Sequence, residues 1–258
     1  IMSFNLIDTH AHIYFDDFKK DIDSVIAYSL KNNINKILMP NVNVESLKEM
    51  IKLSHLYSEI CYPMIGLHPC YVKENYKKEL NIMENYIQMD SIVGIGEIGI
   101  DLYRDKTYYK EQVDAFEIQC YWAMDKKLPV VIHTRNSLEQ TIKIIKKSPF
   151  RKLRGVFHCF EGNYYDAMQL IDLGFLLGIG GKCTFKSSNL SKVLSQIGLE
   201  NLVLETDSPF LSPVPKRGER NQPGNIIHIA KKLEEITTLP MSKIAQITSS
   251  NAENLFNL

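Results

Sequence analysis

Eight short apolar stretches recur along the chain, and their spacing constrains the fold more than any other feature. Each stretch is rich in Ile, Val, Leu or Phe, and the centres lie 20 to 36 residues apart. Short apolar runs bounded by polar segments are typical of buried β-strands. The centres fall near Asp8, Leu38, Ile65, Gly96, Ile132, Phe157, Leu177 and Leu204.

The segments between these runs have helical periodicity, so strand and helix are predicted to alternate eight times. Eight such units in 258 residues predict an α/β fold, a (β/α)8 TIM barrel, as a single domain over residues 1–258. A doubly wound open sheet is the competing fold. The clearest helical faces are formed by Ile22, Val25, Ile26, Ser29 and Leu30, and by Leu138, Ile142 and Ile145.

Composition excludes several classes of protein. The chain has 30 basic and 30 acidic residues and 45% hydrophobic residues, which is unlike a disordered chain. A zero net charge argues against a protein that coats nucleic acid or a membrane through a bulk positive field. Five cysteines without a C-x-x-C pair fit reduced thiols better than a disulfide framework.

We expect a cytoplasmic location. No apolar run approaches the 18 residues of a membrane span, and no lysine or arginine precedes Lys19, so a signal-peptide n-region is missing. Ile1 precedes Met2, and we take Met2 as the native start. Neither a membrane nor an obligate protein partner is expected.

An H-x-H pair follows the first apolar run. The period of a strand places His10 and His12 on one face, where two imidazoles can hold one divalent metal. Such a pair alone is weak evidence, because about 0.2 pairs are expected by chance in a chain with this histidine content. A hydrogen-bonded histidine pair is the ordinary alternative.

Four further residues of ligand type stand at the predicted ends of other strands. They are Glu97, His133, His158 and Asp207, after the fourth, fifth, sixth and eighth runs. A charged or imidazole group beside a core strand is costly to bury without a partner, so four such endings indicate a common partner at one barrel mouth.

Six ligands exceed the need of one tetrahedral ion and fit two divalent ions. We predict that Glu97 bridges them, that His10, His12 and Asp207 complete one ion, and that His133 and His158 complete the other. A set without thiolate suits Zn, Mn, Ni, Co or Mg.

Several segments of the chain resemble the TatD family of metal-dependent deoxyribonucleases, over residues 6 to 224. The resemblance implies an amidohydrolase-type barrel, the ligand assignment above and divalent-metal-dependent hydrolysis of DNA. Gln222 and Leu102 depart from the residues common in the family, which leaves substrate preference open. The matching segments are Asp8–His12, Gly66–Pro69, Gly94–Asp101, Val131–Arg135, Phe157–Gly162 and Leu204–Pro209, the last continued by Pro215–Pro223.

The predicted reaction is attack of a metal-bridging hydroxide on the phosphorus of DNA, in single strands or at ends, as a 3′–5′ exonuclease, an endonuclease or both. The predicted catalytic residues are Glu97, Asp207 and Glu205. Asp207 would hold the hydroxide and move its proton. Glu205 would orient the attacking water or a ligand, although a hydrogen-bonded core carboxylate is an equal alternative.

Five residues are predicted to bind substrate. His68 and Arg135 would face the mouth and bind a phosphate oxygen. Lys216, Arg217 and Arg220 would form a basic rim after the eighth strand, with a solvated charge cluster as the alternative. Aromatic residues in the loops after the strands can stack on unpaired bases.

The sequence is also compatible with functions other than DNA hydrolysis. The pattern Gly94-x-Gly96-x-x-Gly99 also satisfies a dinucleotide fingerprint, but Glu97 and Asp101 would set carboxylates against the phosphates, so close backbone packing is the better interpretation. A two-metal amidohydrolase that cleaves a C–N or ester bond, for example in D-aminoacyl-tRNA deacylation, is the rival enzyme. A metal-retaining scaffold without activity is the second rival.

Overall fold

A computed structural model describes residues 4–258, and eight parallel strands form its centre. Met2, the expected start, lies outside the described residues. The strands are β1 Leu6–Asp8, β2 Ile34–Pro40, β3 Cys61–Ile65, β4 Gly94–Asp101, β5 Val130–Arg135, β6 Gly155–Phe157, β7 Phe175–Ile179 and β8 Leu202–Leu204.

The strands follow one another around the sheet in chain order, and the last meets the first. The N–H of Thr9 donates to the carbonyl of Leu204 at 3.0 Å, and the N–H of Asp207 donates to the carbonyl of His10 at 2.8 Å. These bonds join β1 to β8 and close the ring. The predicted (β/α)8 barrel is therefore confirmed, and the open sheet is excluded.

Helices connect the strands and cover the outside of the barrel. Short 3₁₀ turns lie between several of these elements. The helices are α1 Ile22–Lys31, α2 Val44–Leu56, α3 Tyr76–Glu84, α4 Tyr109–Lys126, α5 Leu138–Ile145, α6 Tyr164–Asp172, α7 Leu190–Leu194, α8 Ile226–Thr237 and α9 Met241–Phe256.

Helix α1 illustrates how periodicity translates into packing. Val25, Ile26 and Ser29 are buried, as the pattern predicts, whereas Leu30 is 54% exposed. At about 100° per residue, Leu30 lies roughly 80° around the helix from Ile22 and so at the margin of the buried face.

Helix α9 packs against the N-terminal ends of β1 and β8. The hydroxyl of Ser249 donates to the carbonyl of Asn5, and the amide of Asn251 donates to the carbonyl of Leu202. This leaves the opposite end of the barrel, where the strands end, to the loops that carry polar residues. Among residues 4–258 we find no helix long and apolar enough to span a membrane.

Candidate metal centre

Six residues of metal-ligand type, from in or after different strands, line one cavity of about 490 Å³. Because the strands are parallel, their carboxyl ends meet at one mouth, so residues far apart in the chain come together there. These six residues are His12, His68, Glu97, His133, His158 and Asp207.

Glu97 stands within β4 and not at its end. The strand continues for four residues to Asp101, whereas the sequence pattern placed its end at Glu97. The register with β5 shifts between Ile95 and Ile98, which pair with residues only two apart. One extra residue in a strand is a β-bulge, and a bulge re-aims a side chain locally. Here the bulge lies at Glu97, whose side chain lines the cavity at the barrel mouth.

Asn41, the first residue after β2, holds this bulge. Its backbone carbonyl accepts the N–H of Glu97 at 2.9 Å, and its N–H lies 3.0 Å from the carbonyl oxygens of Gly96 and Met64. Asn41 is fully buried. The backbone around Glu97 is therefore fixed from the neighbouring strand.

One oxygen of Glu97 faces the imidazoles that follow β1. Its Oε2 lies 3.2 Å from Nε2 of His10 and 3.5 Å from Nε2 of His12. Oδ1 of Asp207 lies 3.8 Å and 3.6 Å from the same two nitrogens. Four ligand atoms thus surround one point, and they belong to the residues predicted for the first ion.

The other oxygen of Glu97 faces three imidazoles from later strands. Its Oε1 lies 2.9 Å from Nδ1 of His133, 3.1 Å from Nε2 of His158 and 3.3 Å from Nε2 of His68. The sequence assigned His68 to substrate, but its position is within the ligand cluster, close enough to share an ion with Glu97 and His133.

Burial and mutual charge set the protonation of this cluster. Burial opposes ionisation of Glu97, but the imidazoles of His68, His158 and His10 outweigh it and hold the pKa of this carboxyl well below its ordinary value. Burial likewise opposes ionisation of Asp207, and the hydrogen bond from His12 and the nearby imidazoles lower its pKa. Both carboxyls are therefore ionised at neutral pH.

Four of the imidazoles divide into two groups by the direction in which their pKa is shifted. Burial lowers the pKa of His10 and of His68, which favours the neutral form that binds metal. Burial also disfavours the charged form of His158, yet Glu97 and Glu205 raise its pKa well above the ordinary value. Burial acts the same way on His133, but hydrogen bonds with Asp101 and Glu97 raise its pKa.

The donor set fits divalent metal ions. Nε2 of His10 and Nε2 of His12 are only 3.2 Å apart, with carboxylate oxygens beside both. Two imidazole lone pairs directed at one point repel each other unless a proton or a metal ion lies between them, and the carboxylate oxygens beside both nitrogens favour the divalent ion. Nitrogen and carboxylate donors without thiolate match Zn, Mn, Co, Ni or Mg.

Polar contacts on the far side of three imidazoles fix their orientation. Nδ1 of His12 lies 3.2 Å from the carbonyl of Pro40 and Nε2 of His133 lies 3.0 Å from Asp101, both within hydrogen-bond distance, and Nδ1 of His158 forms an ion-pair contact with Glu205 at 3.2 Å. In each ring this leaves the other nitrogen directed at Glu97. Partners of this kind select the tautomer and orient the ligand.

Glu205, predicted to be catalytic, lies behind His158 and does not line the cavity. It is fully buried, and its Oε1 accepts the N–H of Cys159 at 2.5 Å. A Cβ on Gly178 would lie 2.2 Å from its Oε2, so the carboxylate fits only because residue 178 has no side chain. From this position Glu205 contacts His158 and the N–H of Cys159, and its side chain does not line the cavity.

Asp101 is the main residue that sequence reasoning missed at this site. Besides holding His133, it is almost fully buried and accepts the N–H of Tyr103 at 2.9 Å. A signal was present, because Glu97 and Asp101 are four residues apart and so share a strand face. Because the sequence pattern ended β4 at Glu97, Asp101 was not assigned to the same strand. Gly99, between them, has φ +145°, and a Cβ there would lie 2.0 Å from the carbonyl of His133.

The predicted basic rim does not line the cavity. Arg220 pairs with Asp21 at 2.6 Å, and Lys216 pairs with Glu219 at 3.2 Å. The guanidinium of Arg217 lies 4.0 Å from the ring centroid of Phe185. These three cations thus have local partners on the surface.

Different cations line the cavity. Arg135 does so, as the sequence predicted, and it is joined by Arg104 and Lys182, which sequence reasoning did not identify. Phe15 and Phe210 form part of the wall beside His12, with ring centroids 6.3 Å apart.

Comparison with known proteins places the chain in a family. Residues 7–257 match the model of the family described as TatD related DNase. The chain belongs to the TatD-related DNase family. The predicted resemblance is thereby confirmed, and the match extends beyond residue 224.

Relatives within the TatD-related family are described as metal-dependent hydrolases. An uncharacterized metal-dependent hydrolase of Buchnera aphidicola is 35% identical over 98% of this chain and 99% of its own length. A second, YabD of Bacillus subtilis, is 31% identical over 98% of this chain and 99% of its own length. Together with the candidate ligand groups, these relatives identify the protein as a metal-dependent hydrolase.

A solved TatD structure has the same architecture. The TatD homologue YjjV of Escherichia coli is 27% identical, superposes with a TM-score of 0.92 and covers 98% of both chains. The barrel is thus shared over nearly the whole length.

Proposed function

We propose that this TatD-family hydrolase cleaves phosphodiester bonds of DNA, with residues 1–258 acting as one domain. The proposal rests on Glu97, whose Oε2 faces His10 and His12 while its Oε1 faces His133 and His158. A carboxylate placed between two sets of ligands is suited to bridging two ions. Paired ions about 3.5–4 Å apart are a recurrent device for in-line displacement at phosphorus. The family description supports DNA as the substrate.

The two ions would share Glu97. His10, His12 and Asp207 would hold the first, and His133 and His158 the second, with His68 beside them at 3.3 Å from the same oxygen of Glu97. Such ions act as Lewis acids toward phosphoryl oxygens and lower the pKa of bound water.

Asp207 is the carboxylate best placed to move a proton. Its side chain lines the cavity and is 15% exposed, whereas that of Glu97 is 3% exposed. The residue has φ +56°, and its N–H donates to the carbonyl of His10, so the turn after β8 aims it at the mouth. Because its pKa is lowered, Asp207 is ionised and can accept a proton from the attacking water.

The test is hydrolysis of DNA by metal-stripped protein, repleted in turn with Mg, Mn, Zn, Co and Ni. Single strands, blunt duplexes and closed circles are compared, and bound metal is counted by mass spectrometry. Glu97→Gln and Asp207→Asn should lose nearly all cleavage, whereas Glu84→Gln, at an exposed position on α3, should behave like the parent.

We expect about two ions per chain and cleavage of strands that have unpaired ends. A protein that binds two ions and cleaves an ester or amide but no DNA would instead be a hydrolase of that other bond. Normal cleavage by Glu97→Gln would refute the proposed role of the shared carboxylate.

A further inference from the structure

Two arginines on one wall of the cavity have no carboxylate partner. Arg104 and Arg135 line the cavity together with Glu97, and within residues 4–258 neither forms an ion pair with an acidic residue. The third cation of the wall, Lys182, is already paired with Glu161. Unpaired cations beside a cleft attract an anionic group of a ligand.

Tyr103 supports one of these arginines. The guanidinium carbon of Arg135 lies 3.7 Å from the centroid of the Tyr103 ring. A guanidinium stacked on an aromatic face keeps its in-plane N–H donors free, and those donors match the oxygens of a phosphate.

Asp101 ties the backbone of Arg104 to the strand end that carries Arg135. Its Oδ1 accepts the N–H of Tyr103 at 2.9 Å and the N–H of Arg104 at 3.2 Å, and Asp101 pairs with Arg135 in the ladder between β4 and β5. The loop that carries Arg104 is therefore tied to the end of β5 before a ligand arrives. Such preorganisation reduces the entropic cost of binding.

Arg104 also borders space beyond the metal ligands. It lines a second cavity of about 160 Å³, together with Lys73 and Asp105. None of the five clustered imidazoles lines that cavity. Arg104 thus lies between the cavity of the ligand cluster and this side cavity, where it can hold a group beside the cluster.

We propose that Arg104 and Arg135 form a subsite for the phosphate adjacent to the scissile one, with Tyr103 as its support. The inference rests on the proposed phosphodiester hydrolysis, because the scissile phosphate is placed over the ligand cluster. The subsite makes the enzyme select a ligand with two phosphates separated by one nucleoside.

The test is calorimetric binding to the metal-loaded protein, which does not depend on turnover. The probes are thymidine 3′,5′-bisphosphate, thymidine 5′-monophosphate and thymidine 3′-monophosphate. A charge-assisted contact changes affinity by about 10- to 100-fold, so the bisphosphate should bind that much more tightly than either monophosphate. We call the ratio of bisphosphate affinity to monophosphate affinity the bisphosphate gain. In Arg104→Gln and in Arg135→Gln this gain should fall to less than about threefold.

Arg151→Gln is the matched control, because Arg151 is exposed and precedes β6, at the opposite end of the barrel. It should keep the full gain. Tyr103→Phe should keep the gain, and Tyr103→Ala should reduce it, since only the ring is required.

Equal affinity of the parent for all three probes would overturn the subsite, as would a full gain in both Arg104→Gln and Arg135→Gln. Cleavage of the dinucleotide pTpT, whose two phosphates are separated by one nucleoside, is measured on the same preparations. Failure to cleave pTpT, with the tighter binding of the bisphosphate intact, would count against the proposed function and leave the subsite standing.

Discussion

Replacement of Glu205 by glutamine tests whether a buried carboxylate sets the affinity of the centre for metal. Glu205 is fully buried, and its Oε1 lies 3.2 Å from Nδ1 of His158. Glutamine has the same shape and keeps an oxygen to accept the N–H of Cys159, but it removes the negative charge. The imidazole of His158 then loses a charged partner and becomes a weaker ligand.

The magnitude follows from the loss of a charge-assisted contact between Glu205 and His158, for which hydrogen bonds to charged groups give the scale. A hydrogen bond to a charged group contributes about 1.5–3 kcal/mol and a neutral one about 1 kcal/mol, so the loss is about 1–2 kcal/mol. That corresponds to roughly 5- to 30-fold weaker metal binding. The range overlaps the effect typical of residues that support metal ligands.

The assay is a competition between the metal-free protein and a chromophoric chelator for Zn²⁺ at pH 7. The parent and Glu84→Gln should have equal affinity, and Glu205→Gln should be weaker by the stated factor. At saturating metal, the KM of Glu205→Gln for DNA should equal that of the parent. An unchanged metal affinity would refute the reasoning, and a raised KM at saturating metal would mean that Glu205 contacts substrate.

Two further predictions concern the same corner of the barrel. Gly178→Ala should lower the free energy of unfolding by about 1–3 kcal/mol in a urea titration, because its Cβ would meet Glu205 at 2.2 Å. The control is Gly180→Ala, whose Cβ would meet nothing closer than 3.7 Å and which should change the free energy of unfolding much less. Equal losses in the two variants would contradict the steric argument. Because the raised pKa of His158 keeps its imidazole protonated in the metal-free protein, metal binding at pH 7 should release protons, and affinity should rise from pH 6 to pH 8. Calorimetry in buffers of different ionisation enthalpy measures the release, and a heat independent of buffer would contradict it.

The barrel was predictable because its signal is local and repeated. An apolar run, such as residues 130–132, identifies a strand, and an amphipathic run, such as residues 138–145, identifies a helix. Eight alternations of strand and helix are compatible with few sheet topologies. The ends of the elements were less predictable. The pattern ended β4 at Glu97, because a bulge has no period of its own and depends on the bonds that Asn41 provides from another strand.

Which cations line the cavity was predictable only in part, for a related reason. The sequence predicted both Arg135, at the end of β5, and Arg220, in the loop after β8, to bind substrate, yet Arg220 pairs with Asp21, 199 residues away. The guanidinium of Arg135 stacks on the ring of Tyr103 and forms no ion pair among residues 4–258. Which cation is neutralised depends on neighbours that are distant in the chain.

The sequence alone determined that strands and helices alternate, and it indicated which imidazoles and carboxylates follow the strands, since periodicity and residue type are properties of neighbouring residues. Only the tertiary structure decided that the two oxygens of Glu97 face different imidazoles, that His68 joins them and that Glu205 lies behind His158. The physical reason is that a ring closed by hydrogen bonds between β1 and β8 brings residues about 200 positions apart within 4 Å. Distances of that kind arise from the whole barrel and have no counterpart in any local pattern.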